Sequence, residues 1–168
     1  MRSIAGGRHE EEPEVKGIMH LWDRQKSRAV DRGLLRRIAR CLVEELAGRE
    51  GYELGVHLIG AREMAGLNEK FLGHEGSTDV LTFNHQERAG EGKLCGEIFI
   101  SVDDALEQGR RYRVGWQAEV VRYLAHGLLH LEGWEDTTAG GRRGMKRREN
   151  KLLKELSRRF ELGKLGRA

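Results

Sequence analysis

The chain has 168 residues, enough for one domain that builds its own core without disulfides or a structural metal. A composition of 38% hydrophobic and 34% charged residues, with 23 glycines against 1 proline, excludes fibrous and collagenous classes and describes a globular domain with a heavily charged surface. The net charge of +3 is small, but its distribution along the chain is uneven.

Residues 1–16 (MRSIAGGRHEEEPEVK) are polar, hold the only proline and lack the apolar core of a secretory signal, so they read as a flexible extension ahead of a domain spanning residues 17–163. Residues 164–168 read as a short tail. No run is long enough to span a bilayer. Cys41 and Cys95 lie far apart, outside any C-x-x-C pattern and among apolar residues, which predicts two small buried hydrophobes, no disulfide and a reducing, cytoplasmic setting.

Within the domain, Ile18 to Asp23 alternates as a first strand. Asp31 to Ala47 follows as a helix, with Leu34, Leu35, Ile38, Leu42, Val43 and Leu46 at helical spacing. Gly48 and Gly51 end it, and Tyr52 to Ile59 alternates as a half-buried strand. Ala61 to Leu72 predicts a helix broken at Gly73, and Asp79 to Phe83 and Lys93 to Ile100 predict two strands joined by a polar link. Ser101, with Asp104 three residues on, approximates a capping box for a helix through Tyr112. Trp116 to Leu131 is the next helix, closed by Gly133, and Gly140 to Leu162 the last. The order βαβαββααα predicts an α+β domain with one four-stranded mixed sheet and about five helices packed on it.

From Gly140 onward eleven basic residues face three acidic ones. Such an end suits either a solvated helix face or a polyanion partner, and Arg142, Arg143, Arg147 and Arg148 are its candidate RNA-binding residues.

Chemistry concentrates on the Trp116 to Leu131 helix. At about 100° per residue, Val120, Val121, Leu124, Ala125, Leu128 and Leu129 share one broad face. His126 and His130 lie toward the opposite side, in the general direction of Glu119 and Tyr123. Two unrelated histidines are the plain alternative. A metal site is favoured because the pair avoids the apolar stripe, stacks on one turn and precedes a glycine turn that returns an acidic residue. Two imidazoles and one carboxylate suit a single Zn2+ with a position left for water; nickel, copper and iron(II) share the ligand types. Glu132, Glu135 and Asp136 are the acids at hand, Glu132 being poorly placed if the helix runs to Gly133. Gly127 occupies the position of the general base in the H-E-x-x-H metalloprotease motif, so that mechanism lacks its base.

The stretch HGLLHLEGWED resembles the H-G-x-L-H-L-x-G-x-D-H signature of the YbeY family of bacterial metal-dependent endoribonucleases. LNEKFLGHEGSTDVLTF (Leu67 to Phe83) looks like that family's segment ending in T-D-V-L-S-F, and GEIFIS (Gly96 to Ser101) looks like its G-D-I-x-I-S strand. The resemblance implies a zinc-binding α+β fold with the ion on a central helix, held by His126, His130 and Asp136. It further implies action on single-stranded RNA, and roles with the small ribosomal subunit in maturing the 3′ end of 16S rRNA and in ribosome quality control.

Two departures accompany it. Asp136 aligns with a usual third histidine and makes the site one charge more negative, and Leu72 aligns with an arginine that would clamp a phosphate. His74 or an arginine from Arg142 to Arg148 is then expected to supply that charge. Thr78 and Asp79 are substrate candidates or turn caps, and Glu119 is a candidate to orient a ligand histidine or a plain surface acid. Two other functions stay in view: a non-catalytic, zinc-containing ribosome-assembly factor and a metallohydrolase of peptides or small molecules.

Overall fold

A computed structural model describes residues 17–47 and 51–166. The proposed extension at residues 1–16, and Arg167 and Ala168 of the proposed tail, lie outside the described residues.

The elements run β1 (Gly17–Asp23), α1 (Arg32–Ala47), β2 (Tyr52–Ile59), α2 (Ala61–Leu72), β3 (Val80–Asn84), β4 (Leu94–Ser101), α3 (Val102–Tyr112), α4 (Trp116–Leu131) and α5 (Ala139–Arg159). A short 3-10 turn, Leu162–Gly166, follows. Local chemistry sets the helix ends. The Asp31 carboxylate accepts from the Leu34 amide at 2.9 Å ahead of α1, Ser101 accepts from the Asp104 amide ahead of α3, and Thr138 accepts from the Gly141 amide ahead of α5. Gly73, at φ 67°, closes α2 in the left-handed conformation that glycine adopts without strain.

The four strands form one mixed sheet in the order β1-β2-β4-β3. β1 and β2 are parallel with Gly17 opposite Tyr52, β2 and β4 are parallel with Tyr52 opposite Leu94, and β3 runs antiparallel to β4 with Val80 opposite Ile100. Parallel neighbours need a crossover, and α1 supplies it between β1 and β2. Alternation then sorts the side chains. Leu54, Val56 and Leu58 of β2 join Leu94, Ile98 and Ile100 of β4 in the main core with α1, α4 and α5. The opposite face carries a smaller cluster of Ile59, Met64 and Leu81 under α2. Beyond it lies an aromatic row in which His57 stacks between Trp22 and Phe99, at centroid distances of 4.4 and 4.1 Å.

α4 is the central helix. Its packing partners include β3, β4, α1, α3 and α5, and Val120, Val121, Leu124, Ala125, Leu128, Leu129 and Leu131 are buried. Each of these valines and leucines contributes about 1.5–3 kcal/mol by leaving water. Gly127 sits where α4 crosses the sheet: a Cβ there would lie 2.8 Å from Ile98 Cγ2 and 3.0 Å from Thr82 Cγ2. The missing side chain therefore admits the close approach of the sheet.

Three expectations need correction. The last helix ends at Arg159 rather than Leu162, because Phe160 is extended (φ −131°, ψ 140°) and the chain turns back. That reversal buries Leu165 completely and lets its carbonyl accept from the Asp31 amide at 2.9 Å, so the domain runs on to Gly166 and residues 164–166 are no tail. The cysteines are unpaired but only half-buried, with the Arg159 guanidinium donating to Cys41 Sγ at 2.9 Å. No described helix is long and apolar enough to cross a membrane.

Candidate metal centre

His126 and His130 are one turn apart on α4, and their Nε2 atoms face each other at 3.0 Å. Asp136 reaches them through a compact turn. Gly133, at φ 95°, donates to the His130 carbonyl and Trp134 to the Leu129 carbonyl, each at 3.0 Å, which is the paired C-terminal closure that only a left-handed residue completes. Two residues later Asp136 Oδ2 stands 3.5 Å from His126 Nε2 and 3.6 Å from His130 Nε2. Of the three acids in this stretch, Asp136 is the one whose carboxylate joins the histidines within 4.8 Å.

The donor set fits a metal ion. Ligand bonds of about 2.0–2.2 Å in a tetrahedron place neighbouring donors about 3.3–3.6 Å apart, close to the separations found. Both rings are also aimed by their other nitrogen. His130 Nδ1 lies 3.1 Å from the Trp134 carbonyl, which can only accept, so the Nε2 lone pair is left for a ligand role. His126 Nδ1 lies 3.2 Å from Glu149 Oε2, a nearly buried carboxylate on α5. Burial opposes a charged His126, yet the Glu149 carboxylate, with Asp136 and Asp79, outweighs it and holds the imidazole above its ordinary value.

Two cavities meet at His126. One is a cleft of about 570 Å³ with Asp79, Glu119, Tyr123, Asp136, Arg142 and Lys146 among its walls. The other, about 240 Å³, is bounded by Phe71, Leu72, Thr82, Phe83 and both histidines. The expected residues divide accordingly. Asp79, Glu119 and Arg142 line the cleft, and Leu72 borders the smaller cavity. Thr78 lines neither and donates to Asp79 Oδ1 at 3.3 Å, a turn-capping contact. His74 is exposed and lines neither, as are Arg143 and Arg147. Arg148 points to α1, with Nη2 3.8 Å from Glu45. Glu119 pairs with Arg122 at 3.8 Å and does not orient a histidine; Glu149 has that contact.

Glu149 and Lys146 are the site residues missed from sequence, whereas the sequence places Tyr123 on the histidine face without a role. Glu149 had a readable signal: it is a lone carboxylate on the Met145, Leu152, Leu153, Leu156 stripe, where a charge needs a buried partner. Lys146 was hidden among eleven basic residues.

A family profile described as Endoribonuclease YbeY matches residues 20–157. The chain belongs to the YbeY family. Relatives named Endoribonuclease YbeY include one from Chlorobaculum tepidum, 33% identical over 129 residues, 77% of this chain and 91% of that one. Another, from Salinibacter ruber, is 32% identical over 150 residues, 85% of this chain and 92% of that one. A relative from an Anaeromyxobacter species (strain Fw109-5) is 40% identical over 107 residues; the match takes in 64% of this chain and 56% of that relative's length. The fold is also similar to a solution structure from Thermotoga maritima, with a TM-score of 0.59 and 25% identity over 82% of this chain and 88% of that one. In this YbeY chain the third member of the candidate set is a carboxylate, Arg142 and Lys146 of α5 line the adjoining cleft, and Leu72 brings no charge to the smaller cavity.

Proposed function

We propose that this chain is a zinc-dependent, single-strand-specific endoribonuclease of the cytoplasm, acting on the small ribosomal subunit in 16S rRNA 3′-end maturation and ribosome quality control. The observation that carries this reading is the convergence of His126 Nε2, His130 Nε2 and Asp136 Oδ2, with His126 and Asp136 lining a cleft whose wall also bears Arg142 and Lys146. His126, His130 and Asp136 would hold the ion, three protein donors being the pattern of catalytic rather than structural zinc. When bound, the ion supplies Lewis acidity toward a phosphoryl oxygen and lowers the pKa of water.

The chain's own groups do the rest. Glu149 and the Trp134 carbonyl orient the histidines, and Arg142 and Lys146 attract the phosphates of the strand. The basic face of α5 gives a polyanion further purchase. The peptidase reading is disfavoured, since Gly127 packs against Ile98 and Thr82 and leaves no base beside the first histidine.

Metal analysis of the purified chain, coupled to cleavage of single-stranded and duplex RNA, tests the proposal. We expect one zinc per chain, cutting of the single strand, and loss of both zinc and cutting in His126→Ala and Asp136→Ala. Zinc-loaded protein that binds RNA without cutting it would favour an assembly factor instead. A peptidase activity lost in His130→Ala would favour the third reading.

A further inference from the structure

Tyr123 lies one turn before His126 on α4, lines the larger cleft and is 4% exposed. Its hydroxyl is the one buried side-chain polar atom with no hydrogen-bond partner among the described residues. Leaving such a group unpaired is costly, and phenylalanine would fill the same space without the penalty. A tyrosine kept here points to a partner that arrives with a ligand.

The cleft carries charges of both signs. Asp79, Glu119 and Tyr123 line the same cleft, and both carboxylates act on the phenol. Burial, with Asp79, Glu119 and Asp104 adding to it, holds that phenol well above its ordinary value, so it remains a proton donor. Asp79 Oδ1 is engaged by the Val80 amide and Thr78, while its Oδ2 has no hydrogen bond among the described residues. These carboxylates would repel a phosphate brought against the phenol. A neutral hydroxyl fits, because it can accept from the phenol and donate to a carboxylate at once. Arg142 and Lys146 lie on α5, one turn apart, and suit an anion. The nearby Arg122 is committed to Glu119, Glu149 and Asn150.

We infer that this cleft is a ribonucleotide subsite beside the scissile bond, in which Tyr123 and Asp79 engage the ribose 2′-hydroxyl while Arg142 and Lys146 hold the adjoining phosphate. A ribonucleotide carries both a hydroxyl and a charge, matching the two kinds of group in the cleft. The volume of about 570 Å³ suits it, lying within the range of about 300–1,000 Å³ usual for small-ligand sites. The subsite rests on the endoribonuclease reading and deepens it, making Tyr123 the residue that distinguishes RNA from DNA.

The test uses a short single-stranded RNA and the DNA of the same sequence, with affinities measured in chelator so that no chemistry runs, and cleavage of the RNA measured after zinc is restored. Wild type is expected to prefer RNA by roughly tenfold through this contact, and Tyr123→Phe to lose that preference by weakening on RNA alone. Lys146→Gln should weaken RNA and DNA alike. Because the hydroxyl has no partner in the free protein, Tyr123→Phe should unfold at the same or higher denaturant concentration. An unchanged RNA preference in Tyr123→Phe, or a loss of stability there, overturns the subsite even if RNA is cleaved. A wild type that neither binds nor cleaves RNA overturns the endoribonuclease reading, and the subsite with it.

Discussion

Replacing Gly127 by alanine sets two effects against each other at the crossing of α4 and the sheet. In a helix interior, glycine to alanine gains about 1 kcal/mol from the unfolded chain's lost freedom. Against this, the new methyl carbon would stand 2.8 Å from Ile98 Cγ2, 3.0 Å from Thr82 Cγ2 and 3.1 Å from Ile98 Cδ1. Carbon pairs are comfortable at about 3.5–4.0 Å, so helix and sheet must part by roughly 0.7 Å or more. Neither neighbour yields easily: both are β-branched, and Ile98 is fully buried. Overpacking of this kind costs about 1–3 kcal/mol, and parting the layers also loosens contacts of Leu124, Leu128 and Leu131. The expected balance is a net loss of about 1–2 kcal/mol, a fall in melting temperature of roughly 3–6 °C for a chain of this size. Urea titration should show a lower midpoint with an unchanged slope. His126 and His130 ride on the same helix, so zinc stoichiometry should hold. A midpoint at or above wild type would show that helix propensity dominates and that the close approach at Gly127 constrains nothing.

Removing the carboxylate behind His126 in Glu149→Leu should lower zinc affinity about 10–100-fold, as read by competition with a chromophoric chelator, with the fold intact by circular dichroism. Leu165→Ala should cost about 2–5 kcal/mol in urea unfolding, the price of a cavity in a fully buried site; a neutral result would return residues 164–166 to the status of a tail. Stability should also fall in acid through His57 and Glu97. Burial holds the His57 imidazole below its ordinary 6.5. Glu97 sits below its ordinary 4.5, held there chiefly by the hydrogen bond from His85. In each case the unfolded chain takes up its proton first, so the stabilisation is full above the ordinary value and is lost as pH falls through the folded one. His57→Phe should therefore show a shallower decline below pH 6.5 in a urea series than wild type, and parallel curves would refute the assignment.

The α4 boundaries, its apolar face and the pairing of His126 with His130 all follow from spacing along one helix, where neighbours in space are three and four residues apart. The strands were equally legible because alternation and glycine breaks are local, and their limits shift by one residue at most. Asp136 required the family resemblance, because composition alone left Glu135 open; the turn at Gly133 then brings its carboxylate to the histidines.

Contacts between distant segments escaped. The Glu149 carboxylate behind His126 comes from 23 residues away, and the return of Leu165 joins the end of the described chain to Asp31 at the start of α1. Arg142 and Arg148 look alike in sequence, yet one lines the cleft and the other faces Glu45, because six residues of helix rotate them to different sides. Periodicity thus determined which face of each helix is apolar and which two histidines share a turn, since both depend on separations of a few residues. Which charge meets the metal site, and the cleft in which Tyr123 waits for a partner, were decided only when α4, α5 and the loop before β3 packed together, because burial and electrostatic contact depend on distance in space.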